Sequence, residues 1–217
     1  MIHRIYSIIL KELKVDQREK FSFLSSLLYL VTITFVVFKV FGSLEGPTRM
    51  GLFWVIMVFI AINIIGSSFG FTGTRRKLGH YQLYDPVELI IAKLIVNFFK
   101  LFIAGALMIG LFVFFSSVPL KNYTLFFQVF TLACLGLVSA LTLMSSISIY
   151  SSNQNTLISV LSLPLLVPIL LIAMRVSLIS ENMFFDTATD SNLLMLFGID
   201  MVMVTMSLLF ISFTWKP

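Results

Sequence analysis

Asp200 is an acidic residue placed within a long apolar segment, about 10 Å from its nearer end at 1.5 Å per helical residue. A carboxylate in apolar surroundings must face other helices or water, and it either pairs with a cation or takes up a proton. Lys39 and Arg175 are the plausible partners, because both lie near the same end of their own segments. The sequence leaves a structural ion pair and a role in transport open.

Pro164 and Pro168 lie four residues apart in another apolar run, LSLPLLVPILLIA. In a water-soluble helix each interior proline costs about 3 kcal/mol, because it removes an amide donor and crowds a carbonyl. In a membrane bundle, neighbouring helices, water or hydroxyls such as those of Ser159 and Ser162 can satisfy the freed carbonyls. The pattern predicts a kinked helix. The kink either shapes packing alone or lines or gates a path.

Motifs for catalysis are missing from the sequence. It has no Gly-rich phosphate loop ending in Lys-Ser or Lys-Thr, no HExxH, no GxSxG and no pair of cysteines. Cys134 lies in an apolar run and is expected to be a packing residue. His3 and His80 are predicted at the cytoplasmic surface as solvated side chains, and axial ligation of haem is the alternative. We therefore predict no catalytic residue, no metal site and no permanently held cofactor.

The composition indicates an integral membrane protein. Of 217 residues, 59% are hydrophobic and 12% are charged, and the mean hydropathy is +1.02. Soluble domains are about one-quarter charged, so this chain has too little polar surface to cover a water-soluble sphere. The N-terminal segment has no apolar region followed by a small-residue cleavage site, so no cleavable signal peptide is expected.

The apolar segments predict an all-α protein with six transmembrane helices. Each is long enough for a hydrocarbon core about 30 Å thick. The third is longer than needed and is predicted to include an interfacial turn before Lys93. We interpret residues 1–217 as one transmembrane domain of six helices. The predicted spans are residues 21–41, 52–71, 87–115, 125–150, 157–179 and 193–213.

Residues 1–20 predict an amphipathic helix that lies in the membrane surface. Apolar side chains gather on one side of the helix and basic ones on another, and each basic residue gains about 1 kcal/mol from anionic lipid. A merely solvated charged tail is the alternative. The apolar set is Ile5, Ile8, Ile9 and Leu13, and the basic set is Arg4, Lys11, Lys14 and Arg18.

The distribution of lysine and arginine places both termini in the cytoplasm. The N-terminal segment and the loop after the second span are rich in basic residues, as cytoplasmic segments are. Trp54 and Trp215 lie at span ends, where tryptophan often anchors a helix to the interface. The basic residues opposite are few, and they stand beside acidic ones: Arg49, Lys121 and Arg175, with Glu45, Glu181, Asp186 and Asp190.

The loop of residues 72–88, TGTRRKLGHYQLYDPVE, predicts a docking element for a soluble partner. Asp85 before Pro86 is typical of a helix start, with Glu88 reaching back in a capping box. We predict a short helix outside the membrane that carries exposed tyrosines. The alternative is a positive-inside loop with interfacial aromatic residues. The predicted docking residues are Arg75, Arg76, Lys77, Tyr81, Tyr84, Asp85, Pro86 and Glu88.

Two stretches resemble the haem exporter B subunit of cytochrome c maturation, a permease family of the type-2 ABC exporter class. LTLMSSI, the NQN turn and LSLPLLVPILLIA are similar to that family's fourth and fifth spans. SSFGFTGTRRKLGHYQLYDPVELIIAKLIVNFF is similar to its cytoplasmic loop and third span, and Lys11 to Leu13 match its basic lead-in. The chain departs from the family in having Thr72 and Thr74 where an acidic residue is usual. The matching positions in the second stretch are Ser68, Phe69, Leu83, Tyr84, Pro86, Lys93 and Asn97.

The resemblance implies a complex in the inner membrane. A cytoplasmic ATPase subunit would dock on the 72–88 loop, and a neighbouring membrane subunit would handle haem and pass it to a periplasmic haem chaperone. Pairing of two copies would complete one path. Haem would be a transported or transferred ligand, and whether this chain moves it or drives release of the loaded chaperone stays open. A type-2 permease for lipid, polysaccharide or drug, and a non-transporting scaffold, are the alternatives.

Overall fold

The computed structural model describes residues 2–18, 20–42, 44, 46–70, 86–116, 121–148, 154–181 and 189–214. Within these ranges the chain forms helices and no strand. We number the helices in chain order. They are α1 (Ile2–Arg18), α2 (Lys20–Phe41), α3 (Gly46–Gly70), α4 (Pro86–Ser116), α5 (Tyr123–Ser148), α6 (Gln154–Ser180) and α7 (Thr189–Thr214).

Six helices, α2 to α7, are long and apolar enough to cross a membrane. The predicted fold class, an all-α protein with six spans, is confirmed. Two details of the third span were wrong. α4 is one continuous helix from Pro86 to Ser116, with neither a separate short helix at Pro86 nor a turn before Lys93. Its 31 residues reach about 46 Å, so one rigid element extends well beyond the hydrocarbon core at one or both ends.

Local signals in the sequence set two of the helix ends. Gly42 follows the last residue of α2 with φ of 64°, a left-handed conformation that favours glycine, and its amide donates to the carbonyl of Phe38 at 3.0 Å. Asn122 precedes α5, and its side-chain oxygen accepts a hydrogen bond from the amide of Leu125 at 3.1 Å. Both contacts satisfy backbone groups that a helix end leaves open.

α5 lies at the centre of the bundle. It packs against α3, α4, α6 and α7, while α1 packs mainly against α4 and α2 packs against α3 and α4. α2 and α7 are the least buried of the spans. Large apolar side chains cover their outer surfaces, among them Leu28, Phe35 and Leu194, which is 70% exposed. Such surfaces are suited to lipid and unsuited to water.

We name the two ends of the bundle by their position relative to α1. The proximal end is the one beside α1, where α4 begins. The distal end is the opposite one, where α3 begins and α4 and α6 end. Aromatic rings hold the distal half together: Phe53 of α3 packs edge-on against Phe112 of α4 and Phe126 of α5, with ring centroids 5.6 and 5.7 Å apart. Phe38 of α2 joins them through Phe112 at 5.1 Å.

Candidate functional site

A buried ion pair joins three helices at the distal end. Arg49, in the first turn of α3, donates to the carboxylate of Glu181, which directly follows α6. The same guanidinium donates to the hydroxyl of Ser116, the last residue of α4, at 2.7 Å. Arg49 and Glu181 are each 3% exposed. We call Arg49, Ser116 and Glu181 the distal cluster.

Further hydrogen bonds extend the distal cluster towards α5 and into α3. The backbone carbonyl of Ser180 accepts from the amide of Asn122, just before α5, at 3.1 Å. About two turns into α3, the indole of Trp54 donates to the hydroxyl of Ser177 at 3.0 Å, and that hydroxyl donates to the carbonyl of Ala173. Trp54 is 2% exposed, so the prediction of an interfacial anchor was wrong for this residue. The cluster therefore links the distal ends of α3, α4, α5 and α6.

An apolar pocket opens beside Arg49 at the distal end, between α3, α4 and α5. Its wall combines one guanidinium with aromatic and aliphatic side chains. The cation is already bonded to Glu181 and Ser116, so its first role there is to hold the helices together. The lining residues are Arg49, Met50, Phe53, Ile109, Phe112, Val113 and Phe126.

At the proximal end, α1 contacts the start of α4 through both apolar and charged side chains. Ile8, from the predicted apolar stripe of α1, is 1% exposed, so protein covers it. The ammonium of Lys93 on α4 lies 3.9 Å from the carboxylate of Glu12, and both side chains are largely buried. The apolar stripe of α1 thus packs partly against α4, and Lys93 is held by α1 as well as by its own helix.

Replacing Glu12 with Gln should loosen α1 from α4. The loss of stability is expected to be only about 1 kcal/mol. The ion pair is partly buried, but its N···O distance of 3.9 Å is long for such a pair. Faster amide hydrogen exchange in α1, measured by mass spectrometry, checks this expectation. Arg4→Gln, an exposed change on the same helix, is the matched control and should leave exchange unaltered. Equal exchange in Glu12→Gln and the wild type would contradict the expectation.

The predicted docking residues lie mostly outside the described residues. Arg75, Arg76, Lys77, Tyr81, Tyr84 and Asp85 fall in the undescribed range 71–85. Pro86 is the first residue of α4, the position where proline is well tolerated in a helix. Glu88 is buried, with 7% of its surface exposed. The third span therefore begins inside the predicted docking stretch, at Pro86.

The two prolines lie on the exposed face of α6, whereas Asp200 belongs to α7 and is buried. The helix continues through Pro164 and Pro168, and both are exposed on the surface of the bundle. Ile169, the next residue, is fully buried and points towards α5. Asp200 of α7 is also fully buried, and neither of its carboxylate oxygens has a hydrogen-bond partner. The predicted pairing of Asp200 with Lys39 or Arg175 was wrong, since both carboxylate oxygens are unbonded and both cations are exposed.

Sequence reasoning missed the distal ion pair. Arg49 and Glu181 were assigned to the same side of the membrane, but they are 132 residues apart and carry no local signal for pairing. The charge signs were the available clue, because an arginine and a glutamate at the ends of apolar segments each need a partner if buried. Among the described residues, no group of three or more His, Cys, Asp or Glu could hold a metal ion.

A comparison with protein families gives a match that spans nearly all of the described bundle. The model of the CcmB protein family matches residues 3–214. The chain belongs to the CcmB family. No curated protein matched it. The resemblance noted in the sequence is confirmed over nearly the whole chain, and membership of CcmB makes it a multi-pass membrane component of a haem exporter for cytochrome c maturation.

Proposed function

We propose that this chain is the inner-membrane permease subunit of an ABC-type haem-delivery complex. A separate ATPase subunit docks on the 72–88 loop, and ATP hydrolysis there drives either haem transfer or release of the haem-loaded chaperone. The observation that carries the proposal is α4. It begins at Pro86, within the predicted docking stretch of residues 72–88, and ends at Ser116 in the distal cluster. One unbroken helix thus runs from the predicted ATPase-docking stretch to the distal cluster, the two regions that coupling has to connect.

The contacts of α4 support a mechanical route from the loop to the distal end. A push on the loop would move the start of α4, where α1 is held by Lys93 and Glu12. At the other end of α4, Ser116 accepts from Arg49, which is bonded to Glu181 at the end of α6. Movement of α4 therefore acts on α3 and α6 together. The two-proline segment is the part of α6 that can bend, because its interior lacks two amide donors.

Family membership supports a place in a wider complex, whose composition is part of this proposal. Its other members are a haem-handling membrane subunit, a periplasmic haem chaperone and a second copy of this chain. Haem is a transported or transferred ligand here. It is no resident cofactor of this chain. Both termini, and with them the proximal end, face the cytoplasm in this scheme, in line with the basic residues of the N-terminal segment and the 72–88 loop.

Reversing the charge of the loop should release the ATPase. In the triple variant Arg75→Glu, Arg76→Glu, Lys77→Glu, recovery of the ATPase subunit with this chain in mild detergent should fall at least about tenfold, the equivalent of 1.4 kcal/mol. Lys121→Glu, an exposed charge reversal at the distal end, is the control and should leave recovery unchanged. Unchanged recovery in the triple variant would remove the loop from the docking surface.

The composition of the purified complex tests the cargo. Co-purification with the products of neighbouring genes, followed by an ATPase assay and a haem absorbance spectrum, should recover both an ATPase and a haem-carrying membrane subunit. An ATPase recovered without haem or haem proteins would favour a type-2 exporter for another substrate. If the chain were a non-transporting scaffold, a loop variant that abolishes coupling to the ATPase would still support assembly and maturation. A permease would lose maturation in the same variant.

Replacing both Pro164 and Pro168 with Ala should uncouple hydrolysis from delivery. Restoring two amide donors should stiffen α6, so ATP hydrolysis should continue while cytochrome c maturation falls by roughly tenfold, within the usual range of coupling free energies. Assembly should be intact, because both prolines lie on the exposed face. Val160→Ala, on the same exposed face, is the control. Unaltered maturation in the double variant would exclude this role for the proline segment.

A further inference from the structure

The carboxyl group of Asp200 occupies a junction of three helices. Asp200 is fully buried in α7, and it faces Gly136 of α5 so closely that a Cβ on that glycine would overlap the Oδ1 atom. The same Cβ would lie 3.2 Å from the side chain of Ile169 on α6. The lack of a side chain at Gly136 therefore creates the space that the carboxyl group fills.

No charged partner reaches this carboxyl group within the described part of the chain. Both of its oxygens lack a hydrogen-bond partner. On α5, the helix most closely packed against α7, the sequence has no charged residue, and its titratable groups are Tyr123 at the start and the buried thiol of Cys134. Arg175 on α6 is six residues from Ile169, about 9 Å along the helix, and is exposed.

The remaining charges on helices that touch α7 are also engaged or placed elsewhere. Lys93, on the proximal part of α4, lies next to Glu12. On α7 itself, Asp190 is an exposed residue of the first turn. None of these groups is bonded to the oxygens of Asp200. The other charged residues of α4 are Glu88 and Lys100.

An ionised carboxylate cannot be held stably in such a place. Burying a charge in apolar surroundings without a partner is so unfavourable that the group takes up a proton instead. The lone acidic side chain between three packed helices has room for a neutral carboxyl group and no counter-ion for a charged one. We propose that Asp200 is a proton-binding site, and that it carries a proton in the conformation described here.

The position of the site gives proton binding a structural consequence. Ile169, which shares the junction, directly follows Pro168, so the proton binds beside the part of α6 that can bend. The neutral carboxyl group allows α7 to pack closely on Gly136. Loss of the proton would leave a charge there, and the separation of α5, α6 and α7 that admits water would then be favoured. Protonation thus stabilises the packing observed here, whatever the cargo of the complex.

Infrared spectroscopy of the purified full-length chain tests the assignment. At neutral pH the wild type should show the C=O stretching band of a protonated carboxyl group, and Asp200→Asn should lack it. Asp190→Asn, which removes an exposed carboxylate from the same helix, should keep the band. If Asp200→Asn lost intensity in the bands of ionised carboxylates and showed no change in the protonated band, the proposal would be overturned.

A labelling experiment avoids dependence on any variant. With 13C in the side-chain carboxyl of aspartate, the protonated band of the wild type should move to lower frequency, since the proposal assigns it to an aspartate. An unshifted band, or none, would overturn the assignment. Thermal unfolding adds a second check: the wild type should come closest to Asp200→Asn at about pH 4 or below, where the carboxyl group is protonated in the unfolded chain as well. It should fall progressively below the variant as the pH rises, because only the unfolded chain can then ionise Asp200. Parallel pH dependence in the two would contradict the proposed link to packing.

Discussion

Arg49→Leu should destabilise the folded bundle by about 3–5 kcal/mol, the largest effect expected for one substitution in this chain. The change removes the cation and leaves the carboxylate of Glu181 buried, 3% exposed, without its partner. It also leaves the hydroxyl of Ser116 without the donor that now lies 2.7 Å away. Thermal unfolding in detergent should show a clear decrease in midpoint, with separation of the distal ends of α3, α4 and α6.

The double variant Arg49→Leu, Glu181→Leu should recover most of that loss. Replacing both partners of a buried pair by apolar residues is often neutral or stabilising, because no charge is left to desolvate. Lys39→Leu is the matched control, since it removes an exposed cation from the last turn of α2. An equal loss in the single and double variants would mean that the arginine acts through its packing, and the buried-pair explanation would fail.

Transport should respond differently from stability in the same variants. If the distal cluster passes movement from α4 to α3 and α6, the double variant should fold but support cytochrome c maturation poorly. The reason is that Ser116 would no longer accept a hydrogen bond from residue 49. This separates a coupling role from a structural one. Full maturation in a well-folded double variant would show that the cluster serves stability alone.

The sequence predicted the six spans and the family because those depend on features that are local. Twenty apolar residues suffice to fill a bilayer core, whatever they pack against. The start of α4 at Pro86 was likewise local, since proline is favoured in the first helical turn. The length of that helix, in contrast, did not follow from local features. Nothing in the residues before Lys93 ends it, and the predicted short helix proved to be the first turn of the span.

The pairing of polar groups could not be predicted, because spans that are apolar on all sides do not reveal which side faces the bundle. Asp200 could point to lipid, to Lys39 or to Arg175 as far as periodicity indicates, and it points to Gly136 instead. Trp54 has the sequence position of an interfacial anchor, yet it donates to Ser177 in the interior. In both cases the partner is on another helix far along the chain, and only the three-dimensional arrangement identifies it.

Gly136→Ala should destabilise the bundle by about 1–3 kcal/mol, the cost of adding a methyl group to a packed core. The new Cβ would overlap Oδ1 of Asp200 and press on Ile169, so α7 or α6 has to move away from α5. Gly110→Ala is the control, because a Cβ there meets nothing within 4 Å. It should be neutral or slightly stabilising, as alanine is the better helix former.

The double variant Gly136→Ala, Asp200→Ala should restore stability to about the wild-type value or above it. Truncating the aspartate removes the oxygen that overlaps the added methyl group and also removes the buried polar group. Recovery in the double variant, seen as a thermal midpoint above that of Gly136→Ala, would establish that the two residues share one space. If the double variant were no more stable than Gly136→Ala, the obstacle would be Ile169, and α6 would set the limit to packing at this junction.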